Sequence, residues 1–366
     1  MLSVFKGRNR ELDFLRGIAI LLAMGWHING ISVDSNVTKL ILLPGKEIGW
    51  VGVDIFFVLS GFLVGGMIIR EIDRKNGFGI KTFYVRRIFR LWPILYTFLI
   101  AMAVARPTEL STFLPQVALH VQNYWHTGIA VHLWSLAVEE HFYVLLSILI
   151  YTVAANREKV VRLPYWMAGL VMVSLIFRVV GALNDVDSRD LQGQTHYRLD
   201  GLSIGVILAY YAHHKPDLIR QFQSQKWLLW PVLFLSVCFV AIVPKSSFIG
   251  STIGYSISAL GSAAALLLVY KSGFTKRIPT ISLIVAYIGI ISYPLYLWHV
   301  PVAKAMEIIL NDYLSPTALV FSIYLTSIII SSFLTHLLEK PFMRLRDNLF
   351  PAKAHPEVDI EIPLAK

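Results

Sequence analysis

The chain has 366 residues, of which 56% are hydrophobic and only 15% charged, with a formal net charge of +10. Soluble domains carry about a quarter charged residues, so this composition excludes an ordinary soluble fold. Cys238 is the single cysteine, which excludes an intrachain disulfide and a thiolate metal cluster.

The apolar residues come in runs of roughly 18–22, and a hydrocarbon core about 30 Å thick needs about 20 such residues per helix. Backbone groups in lipid must bond within their own segment, so these runs are helices. They are too long and too continuous for barrel strands of about ten alternating residues. The predicted fold is an all-α integral membrane protein, with about ten transmembrane helices enclosing a central cavity. The spans are 12–31, 49–69, 88–105, 134–155, 164–184, 199–212, 227–244, 251–270, 282–305 and 317–337. The stretch 112–132 reads as an interfacial helix. A transmembrane domain covers 1–346, and residues 347–366 form a short polar tail, too short for a core of its own. The first span lacks a small-residue cleavage site and reads as a retained helix, not a signal peptide.

Of the 33 Lys and Arg, with those inside a span assigned to its nearer end, 25 go to the first terminus, the even-numbered loops and the tail, and the remaining 8 to the odd-numbered loops. That asymmetry predicts a multi-pass protein with both termini cytoplasmic. The basic excess is therefore a topology signal, and no nucleic-acid partner is expected.

Ionisable residues inside a bilayer are expensive and point to function. On the first helix Arg16 and His27 are eleven residues apart, close to three whole turns, so both project from one face. Their separation along the axis is roughly 16 Å, with Arg16 near the cytoplasmic end. Two readings of each stand: snorkelling anchor and packing hydrogen bonder, or parts of one site. On the second helix Asp54 falls near the depth of His27, and Ser60-Gly61 follow at mid-membrane, where small residues let backbones approach. The third begins with Arg86, Arg87 and Arg90, a guanidinium cluster suited to phosphate or to lipid headgroups.

Glu139 and Glu140 lie about a turn and a half into the fourth helix, again near the depth of His27. Consecutive residues point about 100° apart, so at most one can face a given partner. A histidine with a carboxylate partner is the minimal general acid–base unit. Asp200 opens the sixth helix, and His299 lies near the end of the ninth, where Pro294 and Pro301 predict a broken or kinked helix. Both read either as supporting residues or as satisfied polar groups. A phosphate-friendly mouth inside and a His/carboxylate centre near the outer face would suit a long donor such as acyl-coenzyme A. That reading requires Arg16 and His27 to line one cavity. The histidines are otherwise scattered, His213-His214 alone being adjacent, and no metal site is expected.

These residues occur in motifs. ELDFLRGIAILLAMGWH, GVDIFFVLSGF, RRIFR, LWSLAVEEHFY, ISYPLYLWH and LEKPF appear in that order from about Arg10 to Arg346. In this the chain resembles the membrane-bound acyltransferase family 3 of sugar and surface-polysaccharide O-acyltransferases. The resemblance implies an O-acetyltransferase of the inner membrane that uses acetyl-coenzyme A or another acyl-coenzyme A and needs no metal. The acceptor implied is a carbohydrate or a lipid-linked glycan. His27 would be the essential histidine, Arg16 its same-helix partner, and Glu139 or Glu140 a support to catalysis. Arg86, Arg87 and Arg90, with Ser60 beside them, would hold the donor. Asp54, Trp134, Ser135, Tyr143, Asp200 and His299 would support the site. Base-assisted attack on the thioester and relay through an acyl-histidine both fit. His141 stands where members commonly have glutamine. The sequence reads as lacking the extracytoplasmic hydrolase-like domain that some members carry, so delivery to the acceptor is expected to be direct or through a separate partner. A secondary transporter with a His/carboxylate proton relay is the rival reading, though no paired, interrupted helices recur in two halves.

Overall fold

In the computed structural model the described residues are 8–28, 30–75, 77–125, 128–153 and 160–350, and among them no strand occurs. The helices are α1 (Arg10–His27), α2 (Asn36–Ile48), α3 (Val51–Lys75), α4 (Ile80–Ala105), α5 (Leu110–Ala118), α6 (Trp134–Val153), α7 (Leu163–Leu183), α8 (Ser188–Gly193), α9 (Asp200–His214), α10 (Pro216–Ser224), α11 (Lys226–Ile242), α12 (Tyr255–Val269), α13 (Pro279–Ile290), α14 (Ser292–Leu310), α15 (Pro316–Leu334) and α16 (Lys340–Leu349). Among the described residues, six helical segments are long and apolar enough to cross a membrane, or eight if each bent pair is one crossing. The other two expected spans, 12–31 and 199–212, coincide with α1 and α9. α1 carries Arg10, Glu11, Asp13 and Arg16 within 18 residues, and α9 has only 15 residues.

The span expected at 282–305 is not one rod. It breaks between α13 and α14 with a bend of 77°. Pro294 has no N–H for the carbonyl of Ile290, so the ladder stops there and a new helix starts at Ser292. A second pair, α10 and α11, meets at 74°. The stretch 112–132, expected to be one interfacial helix, holds among its described residues the end of α5 and a single 3₁₀ turn at Val131–Leu133.

α1 begins with capping that its sequence supplies. The Asn9 side chain accepts from the N–H groups of Glu11 and Leu12. Asp13 accepts two hydrogen bonds from Arg8 at 2.6 and 2.8 Å. α3 packs against α9 through glycines: a Cβ on Gly61 would lie 2.0 Å from the Leu202 carbonyl oxygen, and one on Gly205 2.2 Å from that of Val58. The small residues expected to permit close backbone approach do so here. Gly205→Val is therefore expected to cost about 1–3 kcal/mol, because the obstacle is backbone and cannot rotate away. A lowered melting midpoint in detergent checks this, and an unchanged midpoint would show that α3 and α9 can separate freely.

One apolar core is shared by α3, α6, α9 and α12, and another by α1, α4, α14 and α15. Many large apolar side chains remain exposed on the outside, among them Trp227, Phe234, Leu235 and Ile329. Such a surface suits hydrocarbon and would be a liability in water.

Candidate active site

The two cores leave between them a cavity of about 300 Å³. α4 supplies Arg86, Arg87 and Arg90 to its wall, α1 supplies Arg16, and α16 supplies Arg346. Each arginine is steered by a neighbour. The Arg87 guanidinium donates to Glu140 at 2.6 Å and lies 3.7 Å over the Tyr143 ring. Arg16 donates to the Ser292 hydroxyl at 3.0 Å, a contact that exists because the α13–α14 break places Ser292 there. Arg90 lies 3.9 Å from Glu339, which a π-helical turn at Thr335–Glu339 presents just before α16. Arg86 and Arg346 both pair with Asp347, at 3.5 and 2.7 Å. A guanidinium has five N–H donors, so one carboxylate each leaves donors for an anion.

The remaining walls are apolar side chains of α3 with a few polar groups set among them. Ser60 is hydrogen-bonded to the Tyr143 hydroxyl. Glu139 faces this space while its neighbour Glu140 turns to Arg87, as the 100° step requires. At one wall the Ser135 hydroxyl lies 2.7 Å from the Tyr296 hydroxyl, which donates to the His132 carbonyl at 2.5 Å. A tyrosine hydroxyl has one proton, so Ser135 is the donor in its bond to Tyr296.

Behind that wall lie three histidines. His299 Nε2 is 3.0 Å from His27 Nδ1. The His132 ring is centred 6.0 Å from that of His27 and 5.4 Å from that of His299. His132 and His299 are buried, whereas His27, the last residue of α1, is exposed. Pro301 has no N–H, which frees the Leu297 carbonyl from the helix ladder. That oxygen accepts from His132 Nε2 at 3.1 Å.

Three expectations are corrected. His27 was expected to have a carboxylate partner; its side-chain partner is His299. Arg16 lines the cavity and His27 does not, since the wall of Ser135 and Tyr296 adjoins the histidines. Asp54, read as part of the histidine's depth layer, is instead ion-paired to Arg198 and accepts from Ser258 at 2.6 Å. Asp200 likewise pairs with Arg178 at 2.9 Å, all four charged groups being buried. Trp134 lies 5.3 Å from the Arg198 guanidinium. His141 is outside the cavity and 2.7 Å from the Thr195 hydroxyl.

Sequence reasoning passed over Arg178, Arg198, Arg346, Glu339 and Tyr296. Arg178 sits inside the fifth expected span, so the rule applied to Arg16 would have flagged it. Glu339 is the acid of LEKPF. Nothing in the pattern distinguishes Arg346 from a topology-setting arginine. His213 and His214 end α9, with Nε2 atoms 2.7 and 3.8 Å from Asp73, and none of these three lines the cavity.

Among curated proteins, the chain is similar to "Putative O-acetyltransferase SACOL0978" of Staphylococcus aureus (strain COL), 26% identical over 358 residues. That match covers 91% of this chain and 57% of the relative. It is also similar to "O-acetyltransferase OatA" of Staphylococcus aureus (strain NCTC 8325 / PS 47), 26% identical over 357 residues, covering 89% of this chain and 55% of that protein. The chain thus spans a little over half the length of these relatives. No solved structure gives a significant match. Residues 9–336 match the model of a family described as "Acyltransferase domain", and with its helical, membrane-suited fold the chain belongs to that acyltransferase family.

Proposed function

We propose that this protein is a membrane-bound O-acetyltransferase, taking acetyl from acetyl-coenzyme A at the cytoplasmic side and passing it to a hydroxyl of a carbohydrate or cell-surface glycan. The convergence of five guanidinium groups on one cavity carries this reading. Coenzyme A is a polyphosphate, and arginine is the side chain best matched to phosphate geometry. The excess of basic residues in the first terminus, the even-numbered loops and the tail supports an orientation with both termini cytoplasmic, as in an inner-membrane protein. The names of the relatives support the acetyl group.

His27 acts as general base. Its ring nitrogen takes the proton of the acceptor hydroxyl as that oxygen attacks the thioester carbonyl. The C–S bond then breaks, the thiolate leaves with the proton from the imidazolium, and an acetyl ester and coenzyme A result. His27 lies behind the wall of Ser135 and Tyr296, so this reading requires that wall to open to the acetyl end. If the acyl group passes through the imidazole instead, the same nitrogen is the nucleophile.

Membranes carrying this protein are expected to move label from radiolabelled acetyl-coenzyme A into a carbohydrate fraction. Label that stays with the coenzyme would overturn the reading and favour the transporter. Arg90→Gln is expected to raise KM for acetyl-coenzyme A about 10-fold, the value of one charge-assisted hydrogen bond. Steady-state kinetics at fixed ionic strength checks this, and an unchanged KM would remove Arg90 from the donor site.

A further inference from the structure

The histidine cluster contains enough hydrogen-bond acceptors to determine where its protons sit. His299 Nδ1 lies 2.8 Å from the Tyr296 carbonyl oxygen and 3.1 Å from that of Leu295. A carbonyl only accepts, so this nitrogen must carry hydrogen. A His299 cation would be fully buried, and no carboxylate lies among its hydrogen-bond partners to offset the burial. His299 is therefore neutral, with Nδ1–H bound to the main chain and a bare lone pair on Nε2. Among the described residues, the atom paired to that lone pair is His27 Nδ1, 3.0 Å away. The shared proton consequently belongs to His27.

We infer that His299 is a positioning residue that holds His27 as its Nδ1–H tautomer, leaving His27 Nε2 as a bare lone pair directed away from α14. A carboxylate does this in the familiar serine-type triads; here a neutral imidazole, oriented by helix carbonyls, takes the place. α14 can do this because its two prolines shape it. Pro294 ends α13 and lets α14 start at a new angle. Pro301 releases the Leu297 carbonyl to His132, whose ring packs beside both histidines. Two consequences follow for the reaction proposed above, on which the rate effect rests. The base is the nitrogen farther from the α1 backbone, and the imidazolium formed during transfer stays hydrogen-bonded to His299 without moving.

The test compares His299→Gln, whose amide oxygen can accept from His27, with His299→Leu, which is of similar size and cannot. Acetyl transfer from acetyl-coenzyme A is measured alongside ¹⁵N NMR of histidine-labelled protein in detergent, with the His27 signals identified from His27→Ala. His299→Leu is expected to lower kcat about 10–100-fold at unchanged KM for the donor, the range for losing an orienting partner. His299→Gln is expected to recover most of that loss. Wild type should show His27 with hydrogen on Nδ1 only, and His299→Leu a mixture of tautomers. Equal rates for the Gln and Leu variants at equal melting midpoints would overturn the proposal, as would hydrogen on Nε2 of His27 in wild type. Wild type that transfers nothing but shows the Nδ1–H form would sink the acetyl-transfer reading and leave the role of His299 in place.

Discussion

His27→Ala is expected to lower acetyl transfer by about 10²–10⁴-fold, the range for removing a general base. His299 cannot substitute, being committed through both nitrogens, and His132 is buried, away from the exposed end of α1. Water at the exposed end of α1 is a poor base without an oriented partner. The loss should fall on kcat, because Arg16, the arginine of the proposed donor site on α1, lies roughly 16 Å along the helix from His27. KM for acetyl-coenzyme A should hold within a few-fold. Parallel rates in wild type and His27→Ala membranes, at equal protein, would move the chemistry to another group. A raised KM at constant kcat would instead make His27 part of the donor site.

The largest loss of stability is expected from Arg198→Ala. Arg198 is 1% exposed and its partner Asp54 is 2% exposed, so the substitution strands a carboxylate in the protein interior. Breaking a buried pair from one side costs about 3–5 kcal/mol. Arg198 also donates to the Gln192 carbonyl at 3.0 Å and lies 4.2 Å from the Tyr255 ring, so Ala removes packing as well. Replacing both partners with groups of like shape, Asp54→Asn with Arg198→Met, should recover much of the stability, since no charge is left unpaired. Thermal unfolding in detergent, followed with transfer assays, separates the possibilities. Recovery of both stability and transfer in the double variant would establish Asp54 as structural. Restored stability with no transfer would return Asp54 to the reaction.

Asp54 shows why part of the site was legible and part was not. The rise of 1.5 Å per residue converts sequence position into depth, and by that count alone Asp54, Glu139 and His27 fall in one layer. Depth says nothing of azimuth. Which way α3 faces depends on the close approach of Gly61 and Gly205, which turns Asp54 toward Arg198 and Ser258 and away from His27. Arg87 and Glu140 were both singled out from sequence, yet their pairing requires α4 and α6 to lie side by side. The sequence leaves His299 as either a supporting residue or a satisfied histidine; the break after Ile290 is what brings it to His27.

The amino-acid sequence by itself determined that the chain is helical and suited to a membrane, because apolar runs of that length leave the backbone no other way to meet its hydrogen bonds. It also determined which residues carry charge where charge is costly, and the motifs that place the chain in its family. The tertiary structure alone decided which of those charges face one another. It gathered Arg16, Arg86, Arg87, Arg90 and Arg346 on one cavity, drew Asp54 and Asp200 into buried ion pairs, and gave His27 a histidine for its partner. The physical reason is that helix rotation and crossing are set by contacts between residues far apart in the chain, such as glycine on backbone and proline at a break. No local pattern encodes them.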